Sequence, residues 1–209
     1  MAKVNSNSFL EGKKAFIFDC DGTLVYFKID IISARRDVIG ILAKYGVPES
    51  ILSLDQPIVK MVEKAIRIIQ SGEDSQSKTV NMLKEVDEAV ERHEMEAAHK
   101  TSPIPGAIEL LKSLRSRGFK LGIFTFNKNA VVNFLLNRIG IRDLIDVIVA
   151  RDDVERPKPD SCHLNKTLSL LGVKAEEVIV VGDHPNDIIS ARNVGAKSIG
   201  VLSSGHTVD

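Results

Sequence analysis

Four aspartates, a threonine, an asparagine and a lysine of this chain could do chemistry together, because each follows an apolar run or lies near a predicted helix start. The first pair sits in Ala15-Phe16-Ile17-Phe18-Asp19-Cys20-Asp21-Gly22-Thr23-Leu24. A fully apolar run of strand length reads as a strand buried on both faces, as in a parallel sheet. Asp19 and Asp21 then lie at its carboxyl end, where open α/β sheets bind ligands. Two apart on a strand, they point the same way, about 7 Å apart at strand rise. Like charges that close are costly unless a cation or a shared proton intervenes. Gly22 lets the chain turn sharply away. The plain alternative is an acidic surface turn, but the apolar flank and three further polar sites downstream argue against it.

Thr125 ends a second apolar run, and its hydroxyl faces the first aspartates if the two strands are neighbours. Asn127 follows within two residues, just before a predicted helix whose free N–H groups favour an anion. Lys158 lies in Arg156-Pro157-Lys158-Pro159-Asp160. The prolines forbid helix on both sides and stiffen the loop, so this lysine reads as a fixed positive charge rather than a solvated one. Arg156 is expected at the surface. Asp183 follows a further strand in Gly182-Asp183-His184-Pro185-Asn186-Asp187. Pro185 suits a first helical turn, and Asp187 falls one turn beyond Asp183 on the same side. Asp183 has a second reading as the cap of that helix, and His184 is expected at the surface. Oxygen-only ligands with no His or Cys pair suit a hard cation, and Mg2+ with a phosphate is the natural occupant.

The elements that must position these residues alternate. Strands are predicted at 14–19, 120–125, 145–149, 177–182 and 198–202, and helices at 106–117, 128–138, 160–171 and 185–194. Such alternation gives a doubly wound parallel sheet with right-handed crossovers. Residues 25–101 read as helix with no strand. Ile31, Ala34, Val38, Ile41, Leu42 and Tyr45 mark one face, closed by Gly46 and Pro48. Ile58, Met61, Val62, Ala65 and Ile69 mark a second helix, ending near Gly72. Val80, Leu83, Val86, Val90 and Ala97 mark a third, whose many charges form a solvated face with His93 and His99. The expected division is an α/β core of 1–24 and 103–209 and a helical insert of 25–102, with 1–12 a loose leader. Loops around Pro103 and Pro105 could hinge the insert.

Apolar residues make up 44% of the 209 and charged residues 27%, an ordinary soluble composition. Lys plus Arg equals Asp plus Glu at 28 each, so no bulk charge draws the chain to nucleic acid or an anionic membrane. Cys20 and Cys162 have no metal spacing and fit a reduced cytosol, which with a polar N-terminus sets the expected location as cytoplasmic. Cys20 is expected to point into the sheet. No apolar run reaches the ~18–20 residues of a membrane span.

Asp19-Cys20-Asp21-Gly22-Thr23-Leu24, Thr125, Lys158-Pro159 and Gly182-Asp183 with Asp187 resemble, in order and spacing, the four motifs of the haloacid dehalogenase (HAD) superfamily. The resemblance covers about 14–202, and the insert is similar to the first-type helical caps of the phosphoglycolate phosphatase-like branch. It implies a Rossmann-like core with a cap that closes over the site. Asp19 would be the nucleophile, forming an aspartyl-phosphate, and Asp21 the general acid and base. Thr125 and Lys158 would hold phosphoryl oxygens, with Lys158 also countering charge on Asp19; Asn127, at its helix start, is a candidate substrate contact. Mg2+ would be held by Asp19, the main-chain carbonyl of Asp21, Asp183 and Asp187. The activity implied is a Mg2+-dependent phosphatase acting on a small soluble phosphomonoester, phosphoglycolate or a similar small organic phosphate. The alternative is a phosphomutase acting on a sugar phosphate; dehalogenases and phosphonatases lack the acid that Asp21 supplies.

Tyr26-Phe27 departs from the polar residue that relatives often carry there, and relatives often continue with another helix past the last predicted strand. A signalling receiver also uses aspartates, Thr, Lys and Mg2+. Receivers are compact, about 120 residues, lack a helical insert and carry the phosphoacceptor after a middle strand. A P-loop is excluded by the absence of GxxxxGK[ST]. Arg35, Arg36 and Tyr26 are candidate substrate contacts, and a monomer and a homodimer both remain open.

Overall fold

The computed structural model describes residues 9–70 and 75–202. Most of the expected leader, Gly72 and the last seven residues lie outside them. Seven strands are described: β1 (Ala15–Phe18), β2 (Val25–Tyr26), β3 (Ser102–Pro103), β4 (Lys120–Phe124), β5 (Val147–Val149), β6 (Val178–Gly182) and β7 (Lys197–Gly200). The helices are α1 (Ile31–Lys44), α2 (Ile58–Ile69), α3 (Ser75–Lys100), α4 (Ala107–Ser116), α5 (Asn129–Arg138), α6 (Ser161–Leu171) and α7 (Pro185–Val194).

β1 is the middle strand of a five-stranded sheet ordered β5-β4-β1-β6-β7, with every pairing parallel. Its four residues, Ala-Phe-Ile-Phe, are all buried, as a strand covered on both faces requires. The register sets Phe18 level with Ile123 of β4 and with Val181 of β6. The three strands therefore reach one edge of the sheet almost together, and Asp19, Thr125 and Asp183 follow their last residues. On one face Ile17, Phe124 and Val180 pack with Leu164, Leu168 and Leu171 of α6 and Ala191 of α7. The strands are one to two residues shorter than the apolar runs suggest, at both ends of β1, at the starts of β5 and β6 and at the ends of β4 and β7.

By contact the chain divides into a unit of residues up to Phe27 plus those from Thr101 onward, and a second unit, Lys28–Lys100. The helical unit builds its core from Val38 and Leu42 of α1, Met61 and Ala65 of α2, and Met82 and Val86 of α3. α1 is capped by Asp30, whose carboxylate accepts from the Ser33 N–H at 3.1 Å. The expectation that 25–101 holds no strand is corrected. Val25 and Tyr26 pair antiparallel with Pro103 and Ser102, and these residues belong to the sheet unit. Two-residue strands carry too few positions for a period of two to show.

Gly122 of β4 faces α6. A Cβ there would meet Leu171 Cδ1 at 2.9 Å, Thr167 Cγ2 at 3.3 Å and Ile17 Cγ1 at 3.4 Å. Gly122→Ala should cost roughly 1–3 kcal/mol, about 3–10 °C in Tm. A thermal melt as stable as the wild type would show that strand and helix are not packed that closely.

Candidate functional site

Asp19 is the first residue past β1, and its N–H donates to the Val181 carbonyl at 2.8 Å, so the backbone is still held by the neighbouring strand. Its carboxylate is 8% exposed and meets the Lys158 ammonium at 2.6 Å. The same ammonium lies 2.8 Å from Asp187 Oδ1 and 3.3 Å from the Phe124 carbonyl. It also sits over the Phe124 and Phe126 rings, 4.5 and 5.2 Å from their centroids, where ring quadrupoles favour a cation. Burial alone would lower the Lys158 pKa, but Asp19 and Asp187 outweigh it and raise it. Lys158 is thus a buried, permanently charged group, not a solvated loop lysine.

Asp187 is fully buried in the first turn of α7. One of its oxygens binds Lys158; the other accepts from the His184 N–H at 3.0 Å. His184 caps the helix, its Nδ1 accepting from the Asn186 N–H at 3.1 Å. The capping reading for Asp183 is therefore corrected: the chain turns one residue later, because Pro185 takes the first helical position. Asp183 instead points at β1's end. One carboxylate oxygen from each of Asp19, Asp183 and Asp187 can be chosen so that all lie within 4.8 Å of one another.

Two glycines make room for this trio. A Cβ on Gly22, whose φ is +74°, would meet Asp183 Oδ2 at 2.1 Å. A Cβ on Gly182 would meet Asp187 Oδ2 at 2.3 Å. Three carboxylates and one ammonium sum to two negative charges, and all donors are oxygen. That donor set, cradled where side chains would intrude, fits a hard divalent cation.

The Asp21 carboxylate is not part of the trio, although Asp19 and Asp21 line the same cavity. β1 ends at Phe18, and the chain turns back at once, with Leu24 and Val25 N–H both donating to the Cys20 carbonyl. Asp21 Oδ1 instead accepts from the Asn127 amide at 2.9 Å. Asn127, expected to contact substrate, is 3% exposed and spends this donor on Asp21. Thr125 is fully buried, its hydroxyl accepting from the Asn127 N–H at 3.2 Å. Cys20 is buried as expected, and burial, then Asp21 and Asp19, push its thiol well above the usual pKa.

A cavity of about 310 Å³ is lined by Asp19, Asp21, Phe126, Lys158, Asp183, His184 and Asn186. Phe126, His184 and Asn186 carried no functional signal in the sequence, although all three adjoin residues that did. Arg156 is exposed, paired with Asp160 at 2.9 Å. Arg35 donates to the Leu54 carbonyl at 2.7 Å within the helical unit.

Burial raises the Asp19 pKa to about 6, Lys158 opposing and Asp187 adding to the rise. The folded state then holds this proton more tightly than the unfolded chain, whose Asp titrates near ~3.9. The group's contribution is full below that value and is lost as pH rises through about 6. In the presence of a chelator, Asp19→Asn should therefore raise stability at pH ~7.5 by an amount on the order of 1–3 kcal/mol, and the gain should vanish near pH ~4. Melting curves across that range check it, and a variant less stable than the wild type throughout contradicts it.

Comparison with known proteins accords with this geometry. The chain is 33% identical over 185 residues to the pyrophosphatase PpaX of Halalkalibacterium halodurans, covering 87% of this chain and 80% of that protein. It is 29% identical over 203 residues to a phosphoglycolate phosphatase of Rhodospirillum rubrum, covering 93% and 81%. Among solved structures it resembles a HAD phosphatase from Thermococcus onnurineus, with TM-score 0.60, 26% identity and coverage of 93% and 89%. A hydrolase from Pseudomonas syringae shares the fold with TM-score 0.64 at 24% identity, covering 94% and 88%. The sequence profile of the haloacid dehalogenase-like hydrolases matches residues 16–201, and the chain belongs to that family.

Proposed function

We propose that the chain is a phosphatase that hydrolyses a small soluble phosphomonoester through an aspartyl-phosphate on Asp19. The observation that carries this reading is the buried contact of Asp19 with Lys158 at the sheet edge, beside two further carboxylates. Phosphoryl transfer is mostly positioning and charge neutralisation, and a fixed ammonium beside a carboxylate supplies both. The relatives named phosphoglycolate phosphatase and pyrophosphatase support a small, anionic phosphate as substrate.

An oxygen of Asp19 attacks phosphorus, and the bond from phosphorus to the leaving oxygen breaks. Asp21 gives its proton to that oxygen. Water, giving its proton to Asp21, then attacks the phosphorus of the aspartyl-phosphate, releasing phosphate and restoring Asp19. Asn127 donates to Asp21 and so fixes which oxygen faces the leaving group. Lys158 and Thr125 hold phosphoryl oxygens. Mg2+ held by Asp19, Asp183, Asp187 and the main-chain carbonyl of Asp21 would supply positive charge to the phosphoryl group. Two carboxylates thus take two roles by environment: Asp19 stays ionised beside Lys158, and Asp21, outside the trio, exchanges a proton.

With an aryl phosphate and Mg2+, Asp19→Asn should abolish turnover, and Asp21→Asn should lower kcat about 10²–10⁴-fold. Full activity in Asp19→Asn refutes the reading. Phosphoglycolate, pyrophosphate and a sugar phosphate, scored for released phosphate, define the substrate; an isomerised sugar phosphate without phosphate release would make the chain a mutase.

A further inference from the structure

His163 is the third residue of α6 and is fully buried, its ring edge-on to Phe124 with centroids 5.6 Å apart. Both ring nitrogens are engaged. Nδ1 lies 3.2 Å from the Lys158 main-chain nitrogen, and Nε2 lies 2.9 Å from the Val149 carbonyl oxygen. A main-chain N–H only donates and a carbonyl only accepts. The partners therefore fix the ring: Nδ1 is bare and Nε2 carries the proton. Burial lowers the His163 pKa, and the nearby Lys158 charge works the same way against the Val149 hydrogen bond, so the neutral ring is favoured.

The place of this contact matters. Pro157 and Pro159 have no N–H, so Lys158 carries the only main-chain donor between Arg156 and Asp160. His163 takes that donor. At its other end the ring meets a carbonyl that already accepts from the Thr125 N–H at 3.1 Å. One oxygen of β5 thus joins the backbone of Thr125 to the imidazole, and the imidazole joins the backbone of Lys158.

We propose that His163 is a positioning residue that bridges Val149 to Lys158 and so holds the lysine ammonium against Asp19, in register with Thr125 on the adjoining strand. The proposal rests on the phosphatase reading of the site. It deepens that reading by assigning the main-chain anchor of its cation. Loss of the bridge removes the bond that Lys158's own main-chain N–H makes, leaving the loop held by Asn193 on the Pro159 carbonyl and by the lysine's side-chain contacts; a small displacement of the ammonium lowers catalysis at the charged transition state.

Three variants separate the ring's two bonds. His163→Asn keeps an acceptor near the Nδ1 position, His163→Gln keeps a donor near the Nε2 position, and His163→Phe keeps volume with neither. With an aryl phosphate and Mg2+, His163→Phe and His163→Gln should lose about 10–100-fold in kcat with a smaller change in KM, and His163→Asn should recover to within about threefold of the wild type. Melting curves establish that each variant is folded. If His163→Phe does not fold, the Asn and Gln variants, one methylene apart, decide the matter. Wild-type kcat in folded His163→Phe, or an Asn variant no better than Gln, overturns the proposal. Nitrogen-15 spectra of the wild-type imidazole give an independent reading. A proton on Nε2 with bare Nδ1 at neutral pH is expected, and a charged ring or the other tautomer overturns the bridge. A wild type that releases no phosphate while showing the expected tautomer would defeat the phosphatase reading and leave the bridge standing.

Discussion

A single ammonium between two buried carboxylates governs the sheet edge. Lys158 contacts Asp19 and Asp187 at 2.6 and 2.8 Å with almost no solvent access. Taking such ions out of water costs several kcal/mol each, and their attraction offsets this only in good geometry. Here the geometry is supplied from many sides: two prolines flank the lysine, two aromatic rings lie under its charge, and a helix start holds Asp187. Even so, Asp19 remains partly penalised, as its raised pKa records. Burial thus costs this cluster some of the stability that its attractions contribute.

The parallel register makes that pattern possible. β4, β1 and β6 end within a residue of one another. Three separate stretches of chain can then deliver polar groups to one small volume with loops of only a few residues. Each delivered group is locked by a neighbour: Asp21 by Asn127, Asp187 by the His184 N–H, Asp19 by Lys158. Glycine at 22 and 182 is part of the same economy of space, since the carboxylates of Asp183 and Asp187 occupy the room a side chain would need.

Much of this was legible in the residues. Four apolar residues before Asp19 announced a buried central strand, and a lysine between prolines announced a fixed charge. What stayed hidden depended on contacts between segments far apart in sequence. His163 sits among Ser161, Cys162 and Leu164, and nothing in that string says that its ring meets Lys158 and Val149. Asn127 was legible as a polar group near a helix start, but its partner lies 106 positions away. Asp21 was legible as a group at the strand's end, but its bond to Asn127 was not. The pairing of β2 with β3 was too short to leave a periodic trace.

Cys20 lies between Asp19 and Asp21, yet its sulfur is sealed from solvent and held as a protonated thiol by burial and by the negative groups on either side. Nucleophilic sulfur chemistry needs the thiolate and an open path. Peroxide and alkylating reagents therefore find no foothold one residue from Asp19, and the chain carries a soft atom beside its acidic cluster without inheriting a redox liability.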